Sequence, residues 1–255
     1  MFRKIYYYLQ IIPLISGVEN WYDIIKIYFF PARPVVLKLK NGEVFKIGHY
    51  LDALTIKEIF IDQDYNVKLK NPKVILDIGG NIGTFSIPFA KKFPKARVFS
   101  FEPSPKTFDF LSFNIKENNV KNITALNIGI WSKKQKTVFY KNKASGLSSV
   151  FVKAKREGST REKVSLETLS NVFDRNKIKS CDLLKIDCEG AEYEIILKMS
   201  IKILKIVKNF VIEYHDSLTS HKHIELVNYL KKNGFKTKVK PHPWETDIGI
   251  IYANQ

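Results

Sequence analysis

A chain of 255 residues, 45% apolar and 26% charged, is long enough to bury a full core as one domain with an accessory segment. That balance excludes a disordered or fibrous chain, and two cysteines, Cys181 and Cys188, exclude a disulfide framework and read as buried thiols of a reducing compartment. The formal net charge of +17 points to anionic partners such as nucleic acid, anionic lipid or acidic glycans, against the plainer reading of a solvated lysine surface.

Residues 1–71 read as an N-terminal accessory segment of helices and a short hairpin, and 72–255 as the main domain. The opening "FRKIYYYLQIIPLISGV" is too short and too tyrosine-rich for a membrane span, and Pro13 and Gly17 interrupt it. With "WYDIIKIYFF" (21–30) it reads as a pair of helices packed on the main domain, an interfacial amphipathic element being the alternative. From residue 72 the pattern turns regular. "KVILDIG" (73–79) is a buried strand, and 84–92 a helix that tolerates Pro88 in its first turn. "ARVFSFEP" (96–103) is a second strand. Ser104 then caps a helix with Pro105 at its first position and Phe108, Leu111 and Ile115 on one face. "NITALNI" (122–128) is a third strand, and 136–153 a hairpin or two short strands joined by a basic, Ser/Gly-containing segment that belongs to the lysine-rich stretch 141–163. An amphipathic stretch (165–174) precedes a fourth strand, "DLLKID" (182–187), and a helix covers 190–200. "NFVIEYH" (209–215) is a fifth strand, followed by a helix over 221–233 that stops at Asn233-Gly234. "FKTKVK" and "DIGIIYA" close the chain as an antiparallel pair. Strands alternating with helices predict an α/β, doubly wound, mostly parallel sheet.

Ligands of such sheets sit at the carboxyl ends of the strands. The first strand ends in Asp77 and the glycines of "GGNIG", the second in Glu102, the fourth in Asp187, Cys188, Glu189, Gly190 and Glu192, and the fifth in Glu213 and His215. Acidic groups therefore converge on one rim of a very basic chain. Glu102 lies 23 residues past Gly79, the spacing at which a carboxylate accepts hydrogen bonds from both ribose hydroxyls of a nucleotide. Gly-Gly-Asn-Ile-Gly departs from the G-x-G-x-x-G order of dinucleotide sites, and Asp77 beside the loop suits a ligand carrying an ammonium. S-adenosylmethionine has the ribose, the ammonium and a cationic sulfonium, so it is the expected cofactor.

"VILDIGGNIGTFSI", "VFSFEPSPKTFDFLSFNI", "LLKIDCEGAEYEIIL" and "FVIEYH" together resemble the FkbM family of S-adenosylmethionine-dependent methyltransferases, over roughly residues 45–255. The resemblance implies a class I, Rossmann-like methyltransferase fold: a seven-stranded sheet, parallel but for an antiparallel last strand. It implies methylation of hydroxyl groups on sugars, glycolipids or polyketides. Carried over by position, it places Asp77, Gly79, Asn81 and Gly83 in the cofactor loop, with Glu102 on the ribose. Residues 127–129, Asn127, Ile128 and Gly129, flank the adenine, and Ser104 is counted with the cofactor-binding residues. Cys188 stands where the family often has a small aliphatic residue.

Methyl transfer to a hydroxyl needs a group that takes the hydroxyl's proton. Asp187, Glu189, Glu213 and His215 are the candidates, with His215 first because its ordinary pKa of about 6.5 lies nearest neutrality. Lys185, on the face of Asp187, is expected to pair with a carboxylate. No metal site is assigned, a cation held by these carboxylates being the lesser alternative. The expected substrate is a glycan, glycolipid or other small hydroxylated molecule. An RNA methyltransferase is the runner-up, but the fourth strand lacks the Asn/Asp-Pro-Pro-aromatic block for base amines, and nucleic acid is not the expected partner. A non-catalytic protein that keeps the fold and docks on membrane or glycan is a third reading. A cytoplasmic setting is expected, with peripheral contact to an anionic membrane, and oligomeric state is not indicated.

Overall fold

The computed structural model describes residues 12–30, 33–141, 148–149 and 160–255. The aromatic start of the chain and most of the basic 141–163 stretch lie outside these residues. The segment before residue 72 begins with helices α1 (Ile12–Gly17) and α2 (Tyr22–Phe29). The hairpin β1 (Val35–Lys38)–β2 (Val44–Ile47) follows, then helix α3 (Tyr50–Phe60). Gly42, at a φ of +84°, turns the hairpin after Asn41, where a side chain would be strained. Ile24 and Ile27 of α2, Leu37 of β1, Phe45 of β2 and Ile56 of α3 form one apolar cluster that also takes in Ile82 and Ile87 of the main domain. The accessory segment thus shares its core with the main domain.

The main domain runs β3 (Val74–Ile78), α4 (Ser86–Lys92), β4 (Arg97–Phe101), α5 (Pro105–Glu117), β5 (Ile123–Leu126), β6 (Gly129–Ile130), β7 (Gln135–Lys141), β8 (Ser148–Ser149) and β9 (Thr160–Glu167). It continues as α6 (Leu169–Arg175), β10 (Leu183–Ile186), α7 (Glu192–Leu197), α8 (Ile201–Ile206), β11 (Asn209–His215), α9 (His223–Lys232), β12 (Lys236–Pro241) and β13 (Ile248–Asn254). The seven-stranded sheet has the order β12-β13-β11-β10-β3-β4-β5. β11, β10, β3, β4 and β5 are parallel, and β13 runs antiparallel to both its neighbours. This is the expected doubly wound architecture. β3 and β10 are buried along their whole length, as the continuous apolar runs of a sheet covered on both faces require.

Two asparagines one helical turn apart, Asn114 in α5 and Asn118 at its C-cap, fasten the accessory hairpin to the main domain. Asn114 of α5 accepts from Lys46 N (2.6 Å) and donates to Lys46 O and Ile82 O, while Asn118 accepts from Val44 N (3.1 Å) and donates to Val44 O. The free edge of β2 is thereby paired by side-chain amides that mimic a strand.

Three elements differ from the sequence reading. The 165–174 stretch divides into β9 and α6, because Val164 and Leu166 alternate inward with a strand's period before Thr168 caps the helix. The 190–200 helix gives way to α7 and α8, since Ser200 accepts from Ile203 N and starts a new turn. The third strand stops at Leu126, and Gly129 and Ile130 join a second sheet of order β6-β9-β7-β8.

Candidate active site

At the carboxyl end of β3 the chain turns sharply, and Gly79 and Gly80 both donate to Phe101 O at the end of β4. Gly79 has a φ of +78°, and a Cβ built on it would lie 1.8 Å from Asp187 O. Only glycine fits between the two strand ends. Below this loop the register of β3 and β10 sets Lys185 opposite Asp77. The Lys185 ammonium lies 3.1 Å from Asp77 Oδ1 and 3.5 Å from Asp187 Oδ2, and it donates to Gly79 O at 2.9 Å. Burial opposes the ammonium, but Asp77 and Asp187 outweigh it and raise its pKa. Asp77 is fully buried; its other oxygen accepts from Ser86 Oγ (2.5 Å) and lies 3.5 Å from Ser100 Oγ. It therefore sits behind the loop, engaged by protein groups, and supports the backbone that the cleft exposes. Gly83, too, lies off the cleft wall and packs against Ile87 and Leu111.

The cleft above the loop, of about 820 Å³ with its open mouth, is lined on its polar side by Gly79, Asn81, Glu102, Asp187 and Glu189. Its apolar wall is Phe101, Ile130, Trp131, Phe139 and Leu166, drawn largely from the second sheet. Glu102 is 7% exposed, and its two oxygens accept from Asn81 N (3.0 Å) and Ser104 N (2.9 Å). Ser104 caps α5 behind it, and Asn127 donates to Glu102 O and Pro103 O. Asn127 and Ile128 shape this corner without lining the cleft, whereas Gly129 lines it and Ile130 and Trp131 supply the apolar wall beside it. Cys188 also lines the cleft; burial first, then Asp187 and Glu192, push its thiol well above the ordinary pKa and keep it protonated.

The acidic rim lies beside this cleft. His215 ends β11, and its ring Nδ1 is 3.1 Å from Glu192 Oε1, which also accepts the His215 backbone N–H at 2.8 Å. The other Glu192 oxygen accepts from Gly190 N. His215 Nε2 faces Glu189 Oε2 at 3.9 Å and Glu213 Oε1 at 4.0 Å. Tyr65, from the accessory segment, donates to Glu213 Oε2. Burial first, then Asp187, raises the carboxyl pKa of Glu213 to about 7. Burial likewise raises that of Glu189 to about 7, against the pull of His215. Burial alone would lower His215, but Glu189, Glu192 and Glu213 raise it well above the usual value, so with protein groups alone around it the ring holds its proton. Glu58 of α3 is raised by burial and by Glu213 and Asp187.

Asp187, Glu189, Glu213 and His215 are thus brought together as the spacing suggested, and Asp187 and Glu189 alone among them reach the cleft wall. Glu192, expected at the end of the fourth strand, acts from the start of α7 by holding His215. Two contributors escape the strand-end reading: Glu58 and Tyr65 come from the accessory segment, and nothing in their local sequence marks them.

A mostly parallel sheet with a glycine turn and carboxylates at its strand ends is the fold of an S-adenosylmethionine-dependent methyltransferase. The chain belongs to the methyltransferase FkbM domain family, whose model matches residues 77–237. It is 26% identical over 240 residues to the 31-O-demethyl-FK506 methyltransferase FkbM of Streptomyces tacrolimicus, covering 81% of this chain and 91% of that protein. It is 28% identical over 144 residues to the hexuronic acid methyltransferase AglP of Haloferax volcanii, covering 56% of each. The crystal structure of the methyltransferase FkbM from Methylobacillus flagellatus KT superposes with a TM-score of 0.56 at 13% identity, over 78% of this chain and 47% of that one, and shares the fold.

The cofactor is S-adenosylmethionine, and the residues present fit it. The Glu102 carboxylate stands on the cleft wall where ribose hydroxyls can donate to it, the Gly79 and Asn81 backbone lines the same wall, and Trp131 and Ile130 offer an apolar wall to the adenine. When bound it supplies a methyl group on a positively charged sulfur. Glu102→Ala is expected to weaken cofactor binding about tenfold or more, since charge-assisted bonds contribute about 1.5–3 kcal/mol. Titration calorimetry checks this; an unchanged affinity overturns the ribose assignment. Because Glu102 also holds Asn81 N and Ser104 N, Glu102→Gln is the companion variant that keeps the side chain's size.

Proposed function

We propose that this methyltransferase acts on a hydroxyl group of a sugar, glycan or glycolipid. The observation that carries this reading is a second hollow of about 860 Å³ on the far side of the rim, with Glu58, Asp62, Asp64, Tyr65, Glu213 and Lys240 among its lining. Carboxylates and a phenol are the groups that accept and donate to a hydroxyl-rich ring. Asp187 lines the cleft and lies beside Glu213, which lines the hollow, so a hydroxyl reaching across the rim would meet the cleft where the methyl is offered. Glu189, on the cleft wall, is placed to take the hydroxyl's proton, with His215 and Glu213 behind it. The names of the two relatives, one acting on a hexuronic acid and one on the 31-O position of FK506, support an oxygen acceptor. A phosphate-rich nucleic acid would meet four carboxylates at this rim, which argues against the RNA reading. Incubating glycan and glycolipid extracts with isotopically labelled cofactor and reading them by mass spectrometry tests the proposal. A labelled sugar is expected; label confined to RNA or protein overturns it.

The same reading places the enzyme in the cytoplasm, where its cofactor is made, in peripheral contact with an anionic membrane. Helix α2 buries Ile24 and Ile27 on one side, while Tyr22, Ile25 and Phe29 are exposed on the other, next to exposed Trp21 and Phe30. Exposed aromatic side chains on a chain of net charge +17 favour the interface of an anionic bilayer. Among the described residues no helix is long and apolar enough to cross a membrane. Flotation with anionic vesicles is expected to carry the protein upward, and neutral vesicles to carry much less. Equal partitioning to both, or none, overturns the membrane contact.

A further inference from the structure

We propose that Asp187, Glu213 and His215 hold a divalent cation at the acceptor rim, where it binds the acceptor hydroxyl. One donor atom from each of the three lies within 4.8 Å of the other two. Bonds of about 2.0–2.2 Å put facing donors about 4.2 Å apart, so small rotations of the two carboxylates close the set.

The surroundings of each ligand point the same way. His215 is 5% exposed, and Glu192 engages its Nδ1 while being fixed itself by Gly190 N and His215 N. That arrangement keeps a hydrogen on Nδ1 and aims Nε2 into the cluster. Nε2 makes no hydrogen bond among the described residues, its nearest charged neighbours lying 3.9 and 4.0 Å away. A carboxylate behind one ring nitrogen and an open position before the other is how a protein orients a metal-binding imidazole. Glu213 is held the same way: Tyr65 takes Oε2, and Oε1 is turned to His215. In Asp187, Oδ2 lies 3.5 Å from the Lys185 ammonium. Each ligand is therefore held by a neighbouring protein group, and one donor atom of each lies within reach of a common point.

Two carboxylates and one imidazole, with no thiolate, suit a cation of the Mg²⁺ and Mn²⁺ class with positions left for solvent or substrate. There the cation acidifies a bound hydroxyl: its O–H bond breaks, the proton passes to the Glu189 carboxylate, and the electron pair stays on oxygen. This role, unlike the site itself, rests on the hydroxyl-acceptor reading above.

The test uses the full chain freed of metal with EDTA and titrated with Mn²⁺, without any acceptor, by calorimetry and by loss of the free-ion electron paramagnetic resonance signal. Binding of a single Mn²⁺ with a dissociation constant below about 1 mM is expected. His215→Ala and Glu213→Gln should each weaken it about tenfold or more. S-adenosylmethionine titration of the same variants shows that they fold. Asp62→Asn, in the neighbouring acidic hollow, should leave Mn²⁺ affinity unchanged. No binding by the wild type, no loss in His215→Ala, or an equal loss in Asp62→Asn overturns the site. Mn²⁺ binding without any methylated sugar would keep the cation and remove the hydroxyl reading. Sugar methylation in EDTA without Mn²⁺ binding would do the reverse.

Discussion

His215→Asn is expected to lower methyl-transfer turnover by about 10²–10⁴-fold, the range of a lost acid–base or polarising group, while cofactor affinity stays nearly unchanged. The split follows from placement. His215 does not line the cofactor cleft; its ring touches Glu192 on one side and faces Glu189 and Glu213 on the other. Asparagine can keep a contact to Glu192 but cannot put a second polar atom where Nε2 stands. Glu213→Gln should fall in the same range, since it disturbs the same convergence from the neighbouring position on β11. Single-turnover kinetics with saturating cofactor, alongside cofactor calorimetry, separates the two effects. Turnover within a few-fold of wild type would remove His215 from the chemistry. A parallel loss of cofactor affinity would mean that the substitution acts through the fold of the rim.

The other large effect belongs to Gly79. Gly79→Ala forces a side chain onto a backbone at φ +78° and sets its Cβ 1.8 Å from Asp187 O. The obstructing atom is backbone of the adjacent strand end, so no rotamer change relieves it. Left-handed alanine costs roughly 1–2 kcal/mol, and overpacking adds about 1–3 kcal/mol. A total near 3 kcal/mol corresponds to a melting point lowered by about 6–12 °C for a chain of this size. Pushing the strand ends apart also strains the bond from Lys185 to Gly79 O and the bond from Asp187 N to Ile78 O. Cofactor affinity should therefore fall as well, by about 100-fold, which at 1.4 kcal/mol per factor of ten is about 2.8 kcal/mol. Thermal melts and calorimetry on the purified variant check both numbers. A variant that melts and binds like wild type would show that the loop tolerates a side chain, and the close-approach argument would fail.

How much of this could be read from residues alone depends on how local the cause is. The buried strands announce themselves as continuous apolar runs, and the glycine turn as three glycines after a carboxylate, because burial and backbone freedom act on neighbouring residues. Lys185 and its carboxylate partner were legible too, since one strand's period places Lys185 and Asp187 on the same face. Asp77 was read toward a ligand, whereas pairing register, which no local pattern states, sets it against Lys185. Glu58 and Tyr65 reach the rim only through the packing of the accessory segment on the sheet, and a polar residue on an amphipathic helix looks the same whether it meets water or a catalytic rim. Trp131 was passed over for the reverse reason: the strand before it ends early, and the chain leaves for a second sheet. The strand β9 was hidden in an amphipathic stretch whose period changes at Thr168.

The position of β13 between β11 and β12 has a consequence for synthesis. Both neighbours precede it in the chain, and it pairs with each along its length. A nascent chain emerging from the ribosome can assemble β3, β4, β5, β10 and β11 while the outer edge of β11 still lacks its partner. That edge carries Phe210, Val211 and Ile212, all buried once β13 is seated. Until residues 248–254 clear the exit tunnel, it is a sticky, unpaired strand of the kind that recruits chaperones or other unfinished chains. The strand that completes the sheet therefore sets when the polypeptide becomes safe from its own neighbours on the polysome.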